Sequence, residues 1–296
     1  MRTRILAAAL ACAASAAAVA QDGGDTLKRI RDSGTISLGH RESSIPFSYY
    51  DDRQQVVGYS HELMLRVVEA VKKELGTPDL RVKLTPITSQ NRIPLLQNGT
   101  IDLECGSTTN NLERQKQVAF SNTIFIIGTR LLTRKDSGIR DFPDLAGKNV
   151  VTTAGTTSER LLRTMNERTT PRMNVISARD HGEGFLTLQS GRAAAFMMDD
   201  ALLAGEMAKA RKPDEWHIVG TPQSREAYGC MMRKGDERFK KVVDATIAQA
   251  MTSGEAAKLY EKWFRSPIPP KGLNLNLPLS EEMKALFSNP NDRALQ

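Results

Sequence analysis

The chain has 296 residues, and its 41 lysines and arginines against 34 aspartates and glutamates give a formal net charge of +7 at pH 7. The charges are spread evenly, so neither nucleic acid nor a membrane surface has specific support as a partner. Three cysteines and four histidines without a CxxC or HExxH motif argue against a metal site, and missing GxGxxG, GxxxxGK(S/T) and GxSxG motifs argue against nucleotide binding and a serine hydrolase.

The first 20 residues have the three parts of a secretory signal peptide. Met1–Arg4 is short and basic, the alanine-rich segment 5–17 is apolar, and Ala18–Ala20 fits an A-x-A cleavage site. We therefore expect the mature protein to begin at Gln21, in an oxidising exported compartment. Cys12 lacks the leucine that a lipoprotein motif places three residues earlier. No later stretch approaches the about 20 apolar residues of a transmembrane helix.

From there the sequence alternates strand and helix patterns, which is typical of an α/β fold. Apolar residues at helical spacing predict a helix over 61–75. Pro94 in the first turn and Gly99 after the last turn indicate a short helix over 93–97. Strands are predicted over 35–40, 80–84 and 101–105.

The same plan recurs in the second half of the chain. The run Leu188–Gly191 resembles Leu96–Gly99, and each is a helix end followed by a strand. The strand after Gly191 delivers Asp199. The other predicted elements are strands over 149–152, 194–198 and 228–232, and helices around 156–166, 239–250 and 259–264. The pattern predicts two similar α/β lobes, with the segment after residue 199 returning to the first.

Three arginines each follow the end of an apolar run. Arg41 follows the strand 35–40, Arg92 follows the strand 80–84, and Arg114 follows the strand 101–105. Open α/β sheets bind ligands at the carboxyl ends of their strands, so these three side chains are expected at one crevice. Arginine keeps its charge and grips carboxylates with a planar fork of donors. Although any one of them alone could be a surface charge, the three together indicate a small, multiply anionic ligand.

Two cysteines, Cys105 and Cys230, remain after the signal peptide. In an oxidising compartment we expect them to form a disulfide, with two buried reduced thiols as the alternative. If they are bonded, residues near 230 pack beside residues near 105. The chain would then cross from one lobe to the other and back, and segments 122–125 and 221–225 are the expected crossovers.

Five motifs resemble the periplasmic glutamate/aspartate-binding proteins of ATP-driven importers, within solute-binding protein family 3. The resemblance extends from about Leu27 to Asn291. The Gly-Ser/Thr-x-Thr…Arg turn is shared by many amino-acid-binding proteins, whereas Ser-Gln-Asn-Arg and Asp-His-Gly look particular to the branch with acidic substrates. The motifs are Gly39–Ser44, Ser89–Gly99, Cys105–Asn111, Asp180–Gly182 and Met197–Ala201.

The resemblance implies a type II periplasmic binding fold, in which two α/β lobes joined by a two-segment hinge close around the ligand. A tail follows the second segment of the first lobe, and its Ser280-Glu-Glu282 is expected to begin one last short helix. The implied divisions are a signal peptide over 1–20, a discontinuous lobe 1 over 21–122 and 226–271, a lobe 2 over 123–225, and a C-terminal tail over 272–296.

The resemblance also implies a role for each site residue. Arg114 would take the α-carboxylate, Ser107 and Thr109 would add hydroxyl or backbone contacts, and Thr157 would open a helix whose N–H groups suit the same carboxylate. Asp199 would take the ammonium. The residues expected at the second carboxylate are Arg41, Arg92 with the support of Ser89, and His181. Two alternatives stay open, because Asp200 could replace Asp199 and Thr156 could replace Thr157.

The sequence therefore predicts a protein that captures L-glutamate or L-aspartate and delivers it to a membrane permease of the ABC type. It is expected to act as a monomer in the periplasm, without a cofactor. An enzyme of the same fold, a dehydratase acting on a small dicarboxylic acid, is the alternative, with His181 or Glu42 as its acid or base. A sensory or scaffold module with a separate receptor is a further possibility. The sequence does not rank glutamate against aspartate.

Overall fold

The computed structural model describes residues 24–295, so the expected signal peptide lies outside the described part. Most α-helices alternate with strands along the chain, as the sequence predicts. The helices are α1 Thr26–Ser33, α2 Tyr59–Leu75, α3 Arg92–Gln97, α4 Leu112–Gln115, α5 Thr157–Asn166, α6 His181–Gln189, α7 Asp200–Ala208, α8 Glu237–Thr252, α9 Glu255–Phe264 and α10 Glu281–Ser288. Short 3₁₀ turns lie at Phe142–Leu145 and Pro213–Glu215.

The strands form three sheets. In chain order, they are β1 Thr35–His40, β2 Ser43–Ser44, β3 Ser48–Tyr50, β4 Val56–Val57, β5 Arg81–Pro86, β6 Leu103–Glu104, β7 Thr109–Asn110, β8 Val118–Ile127, β9 Thr129–Arg134, β10 Asn149–Thr153, β11 Asn174–Ala178, β12 Ala195–Asp199, β13 Trp216–Val219 and β14 Glu226–Arg233. The predicted strand over 101–105 is shorter than expected and covers only Leu103–Glu104. At its start, the Asp102 carboxylate and not a backbone carbonyl accepts the N–H of Ser37, at 2.8 Å.

The first lobe is built on a sheet with the order β5-β1-β6-β14-β7, and β8 pairs with β14. Strands β5, β1 and β6 are parallel, so their carboxyl ends share one edge. Helix α2 covers this sheet with its apolar stripe, in which Leu63, Val67 and Val71 are at most 1% exposed. The small sheet β2-β3-β4 extends the same lobe.

The second lobe is built on a sheet with the order β11-β10-β12-β9-β13. Strands β10, β11 and β12 are parallel, β9 pairs antiparallel with β12, and β13 pairs antiparallel with β9 at the edge of the sheet. Its own small core contains Leu131, Val150, Leu162 and Met197, all fully buried. The expected pair of α/β lobes is therefore present.

Two short connections join the sheets. Strand β8 stays paired to β14 as far as Ile127, so the chain leaves the first sheet at Gly128 and returns through residues 220–225. The predicted crossover 122–125 lies inside β8, just before this point, whereas the predicted crossover 221–225 lies in the returning connection. The strand pattern of β8 continues up to the hinge, so the sequence carries no local signal for the residue at which the first sheet ends.

The disulfide between Cys105 and Cys230 is confirmed, and its Cα atoms are 4.3 Å apart. Cys105 follows β6, and Cys230 lies in the neighbouring strand β14, which pairs Met231 with Glu104. Both cysteines are fully buried. The bond thus joins two strands of the first lobe that are 125 residues apart in the chain.

The last helix, α10, begins after Ser280, whose hydroxyl accepts the N–H of Met283 at 3.2 Å, as the sequence predicts. The tail then lies along the first lobe beside the hinge strands, where the N–H of Thr123 donates to the carbonyl of Asn291 at 2.7 Å. Within residues 24–295, no helix combines the length and the apolar character needed to cross a membrane.

Candidate functional site

The cleft between the lobes is closed. The N–H of Gly182 in the second lobe donates to the hydroxyl of Ser43 in the first at 3.3 Å. Arg160 and Glu113 form an ion pair between the lobes at the surface. The residues predicted for the site are enclosed by these contacts, and Arg41, Arg92 and His181 are each only 1% exposed.

Arg41 and Arg92 lie at one end of the cleft. Arg41 follows β1, and its guanidinium donates to the Ser107 hydroxyl at 3.4 Å. Arg92 is the first residue of α3 and donates to the carbonyl of Ser107 at 3.2 Å and to the Thr108 hydroxyl. Burial, followed by the charge of Arg92, lowers the pKa of Arg41 to about 10, so it remains a cation at neutral pH.

A glutamate that sequence reasoning missed supports this arginine pair. Glu104 is fully buried at the end of β6 and accepts the Thr108 hydroxyl at 2.7 Å. Thr108 in turn accepts from Arg92, so a relay links the carboxylate to the guanidinium. The only signal in the sequence is a glutamate within an apolar run, since a buried charge needs a partner.

His181 closes this end from the second lobe. It is the first residue of α6, after the N-cap Asp180, and its Nδ1 lies 2.9 Å from the Thr153 hydroxyl. Burial, followed by the charges of Arg41 and Arg92, lowers the pKa of His181 well below its ordinary value, so the ring is neutral. Its Nε2 lies 3.5 Å from the Arg41 guanidinium, which places a lone pair on Nε2 and the proton on Nδ1.

Three polar atoms at this end lack a partner among the described residues. They are the hydroxyl of Ser89, Nε of Arg92 and Oε1 of Glu104, all of them buried. Leaving a buried polar group unpaired typically costs about 1–3 kcal/mol. Two of the three can donate a hydrogen bond, so they suit a ligand that brings acceptor oxygens.

Asp199 lies at the carboxyl end of β12 and is 2% exposed. Its carboxylate accepts the hydroxyls of Ser158 at 3.0 Å, Thr129 at 3.1 Å and Tyr228. Burial, followed by the charge of Glu226, raises its pKa to about 7. The neighbouring Asp200 is only partly buried and begins α7.

The third part of the site contains Arg114, which lies in α4 after β7. It donates to the carbonyl of Thr109 at 2.9 Å and, across the cleft, to the carbonyl of Gly155 at 3.3 Å. Thr157 is the first residue of α5, and the hydroxyl of Thr156 caps that helix by accepting the N–H of Glu159 at 3.0 Å. The positive end of α5 therefore faces Arg114, as an anion site requires.

Glu226 also belongs to this part of the site, and sequence reasoning missed it. It is 6% exposed and accepts the hydroxyls of Thr109 and Thr157, one from each lobe. Tyr228, which was assigned only to a strand, donates to Asp199 from the same face of β14. In the described stretch, His, Cys, Asp and Glu side chains do not gather into a group of three that could hold a metal ion.

Comparison with known proteins identifies the family. The model of the bacterial extracellular solute-binding proteins, family 3, matches residues 36–266. The chain belongs to this family. A glutamate/aspartate import solute-binding protein of Salmonella typhimurium is 68% identical over 280 residues, which is 93% of each chain. A protein of the same name from Escherichia coli is 65% identical over 294 residues, which is 99% of this chain and 97% of that one.

A solved structure gives the same result for the fold. An ancestral arginine-binding protein bound to arginine is 30% identical and superposes with a TM-score of 0.69, covering 78% of this chain and 98% of that one. The expected type II periplasmic binding fold is confirmed. The chain is thus a solute-binding protein and not an enzyme, which removes the dehydratase alternative.

Proposed function

We propose that this solute-binding protein captures L-glutamate or L-aspartate between its lobes and presents the closed form to the permease of an ABC importer. The observation that carries the proposal is the buried pair Arg41 and Arg92, with unpaired donors on Arg92 and Ser89. A second carboxylate on the ligand would satisfy these donors. The names of the relatives, at 65–68% identity, support the same ligand class.

The charges of the cleft match an acidic amino acid in three places. Arg114, Thr109 and the start of α5 suit the α-carboxylate. Asp199 suits the ammonium, because it is a buried carboxylate whose charge acts on both Arg92 and Arg114. The distal carboxylate meets Arg41, Arg92 and the neutral His181. Ser107 holds both guanidinium groups in place, because its hydroxyl accepts from Arg41 and its carbonyl accepts from Arg92.

Calorimetric titration of refolded, ligand-free protein tests the proposal. L-Glutamate and L-aspartate should each bind one per chain, while L-glutamine and L-asparagine should bind far more weakly or not at all. An amide replaces one ionised oxygen with a nitrogen, so the ligand no longer brings a counter-charge to the two arginines. If the amides bound as tightly as the acids, the cleft would not be an acidic amino-acid site.

The cellular setting and domain limits belong to the same proposal. The chain would be exported to the periplasm by residues 1–20 and work as a monomer, with a discontinuous lobe 1, a lobe 2 that ends at 225 and a tail over 272–296. The expected boundary between 122 and 123 falls inside β8, so we place the start of lobe 2 at Gly128 instead. N-terminal sequencing of the protein from a periplasmic fraction should read from Gln21. A sequence that starts at Met1 would contradict the export route.

A further inference from the structure

A chain of hydroxyl groups joins the two buried carboxylates Asp199 and Glu226 across the hinge. Asp199 Oδ1 lies 3.1 Å from the Thr129 hydroxyl, which lies 2.8 Å from the Ser224 hydroxyl, which lies 3.0 Å from Glu226 Oε1. Thr129 begins β9, directly after the first connection, and Ser224 lies in the second connection. The path therefore runs from the second lobe, beside the end of the first connection and through the second connection, to the first lobe.

The protons along this path can be counted. Three oxygen–oxygen contacts at 2.8–3.1 Å need three hydrogen-bond protons. Thr129 and Ser224 carry one hydroxyl proton each, and an ionised carboxylate carries none. With both carboxylates ionised, one contact would bring two lone pairs together. The chain is complete only when one of the two carboxyl groups holds the third proton.

The other contacts of the two carboxylates do not supply that proton. Ser158 and Tyr228 donate to Asp199, so their protons are already used there. The hydroxyls of Thr109 and Thr157 both donate to Glu226 Oε2, on the side away from Ser224. The backbone N–H of Thr129 also donates to the Ser224 hydroxyl, at 3.3 Å, but this proton does not lie in any of the three oxygen–oxygen contacts. The third proton of the path therefore belongs to a carboxyl group.

We propose that Asp199 holds one proton in the ligand-free protein, with Thr129 and Ser224 linking it to Glu226, and that the ammonium group of the bound amino acid displaces this proton into solvent. Glu226 is then a positioning residue, which acts on the ligand through Asp199. The inference rests on the proposed function, since it assigns the ammonium to Asp199. Charge balances in the exchange, because one cation enters the pocket as one proton leaves for the buffer.

The groups around Asp199 shift its pKa in opposite directions. Burial and the charge of Glu226 raise the pKa of Asp199, while the hydroxyl of Tyr228 on β14 lowers it. Arg92 on α3 and Arg114 on α4 each interact favourably with Asp199. Because the ligand-free form holds the extra proton, L-glutamate affinity should rise about tenfold per pH unit from pH 5.5 to about 7 and then level off.

Proton release can be measured by titrating the full mature chain with L-glutamate in buffers of different ionisation enthalpy. At pH 6, the wild type should release more than half a proton per ligand. Glu226→Gln should release almost none while still binding, because its amide nitrogen donates permanently to Ser224 and its oxygen still accepts from the threonines. Glu206→Gln is the matched control, since Glu206 is a buried carboxyl on α7 whose pKa burial raises to about 6, and this variant should behave as the wild type.

Two further measurements separate this inference from the proposed function. Ser224→Ala removes the middle of the chain and should also reduce proton release, which keeps the test available if Glu226→Gln does not fold. The infrared spectrum of ligand-free protein should show a protonated-carboxyl band that Glu226→Gln and Asp199→Asn both remove. Glutamate binding with a heat that is the same in all buffers between pH 5.5 and 7 would overturn the displacement of a proton and leave the function intact. Absence of any glutamate binding would overturn the function and the displacement with it.

Discussion

Closure of the lobes can be blocked at a single glycine. Gly205 lies in α7 of the second lobe and packs against the turn between β2 and β3 of the first. A Cβ atom at this position would lie 2.4 Å from the carbonyl oxygen of Ile45 and 2.8 Å from its Cβ. Ordinary contact begins near 3.4 Å, so Gly205→Ala requires the lobes to separate locally by about 1 Å.

The cost of this overlap falls on the closed form alone. Overpacking typically costs about 1–3 kcal/mol, which corresponds to about 5- to 140-fold weaker L-glutamate binding. The second lobe itself should not be destabilised, because alanine is better than glycine inside a helix by about 1 kcal/mol. We therefore expect weaker binding and an unchanged or higher melting temperature of the ligand-free protein.

Calorimetry and small-angle X-ray scattering of the glutamate-saturated protein would measure both effects. Gly182→Ala is the matched control, because it also faces the first lobe from a helix but its Cβ would meet neighbours only at 3.4 Å or more. That variant should bind as the wild type does. If Gly205→Ala kept wild-type affinity and the compact radius of gyration, the contact would not belong to the ligand-bound form.

Other predictions concern the ligand and the disulfide. L-Glutamate should raise the melting temperature more than L-glutamine, since hydrogen bonds to charged groups are worth about 1.5–3 kcal/mol against about 1 for neutral ones; equal shifts would contradict an acidic ligand. In titrations, Arg92→Met should reduce the preference for glutamate over glutamine, whereas Asp199→Asn should weaken the binding of both ligands. Truncating a buried charged partner costs about 2–5 kcal/mol, so both effects are measurable. An unchanged preference in Arg92→Met would show that Arg92 does not bind the distal carboxylate. In denatured, unreduced protein Cys105 and Cys230 should resist thiol reagents, and Cys105→Ser should lower the free energy of unfolding by about 4–5 kcal/mol for a loop of 125 residues; two reactive thiols would contradict the bond.

Elements with strong periodicity were predictable, and those set by tertiary contacts were not. Strand β1 has the predicted limits, because its alternating Ile36 and Leu38 mark the buried face. Helix α2 begins two residues earlier than expected, at Tyr59. Its first N–H groups donate to the carbonyls of Pro46 and Phe47 instead of to a capping side chain, so the sequence carries no local signal for the start.

The residues of the site also divide into those that the sequence predicts and those that it does not. The cations at strand ends could be found because arginine after an apolar run is visible in the sequence. Glu226 and Tyr228 could not, since their role depends on β14 returning from the second lobe to lie beside β7 and β8. The proton count along Thr129 and Ser224 likewise needs distances, because these residues are 95 positions apart and meet only at the hinge.

Selectivity for an acidic amino acid follows from the free energy that the ligand must supply to stabilise the closed form. Converting an equilibrium from 1:99 to 99:1 requires about 5.5 kcal/mol of preference for the closed form. Glutamate presents three charged groups, and at about 1.5–3 kcal/mol for each charge-assisted bond they can supply this difference. Glutamine keeps only two, and it leaves Arg41 and Arg92 enclosed without a second ligand carboxylate. Among the protein groups, Glu104 then does most to offset the burial of both guanidinium groups. The arginine pair therefore favours binding of the acid and also disfavours closure around a neutral analogue. A permease that binds the closed form would then encounter few proteins that carry the wrong amino acid.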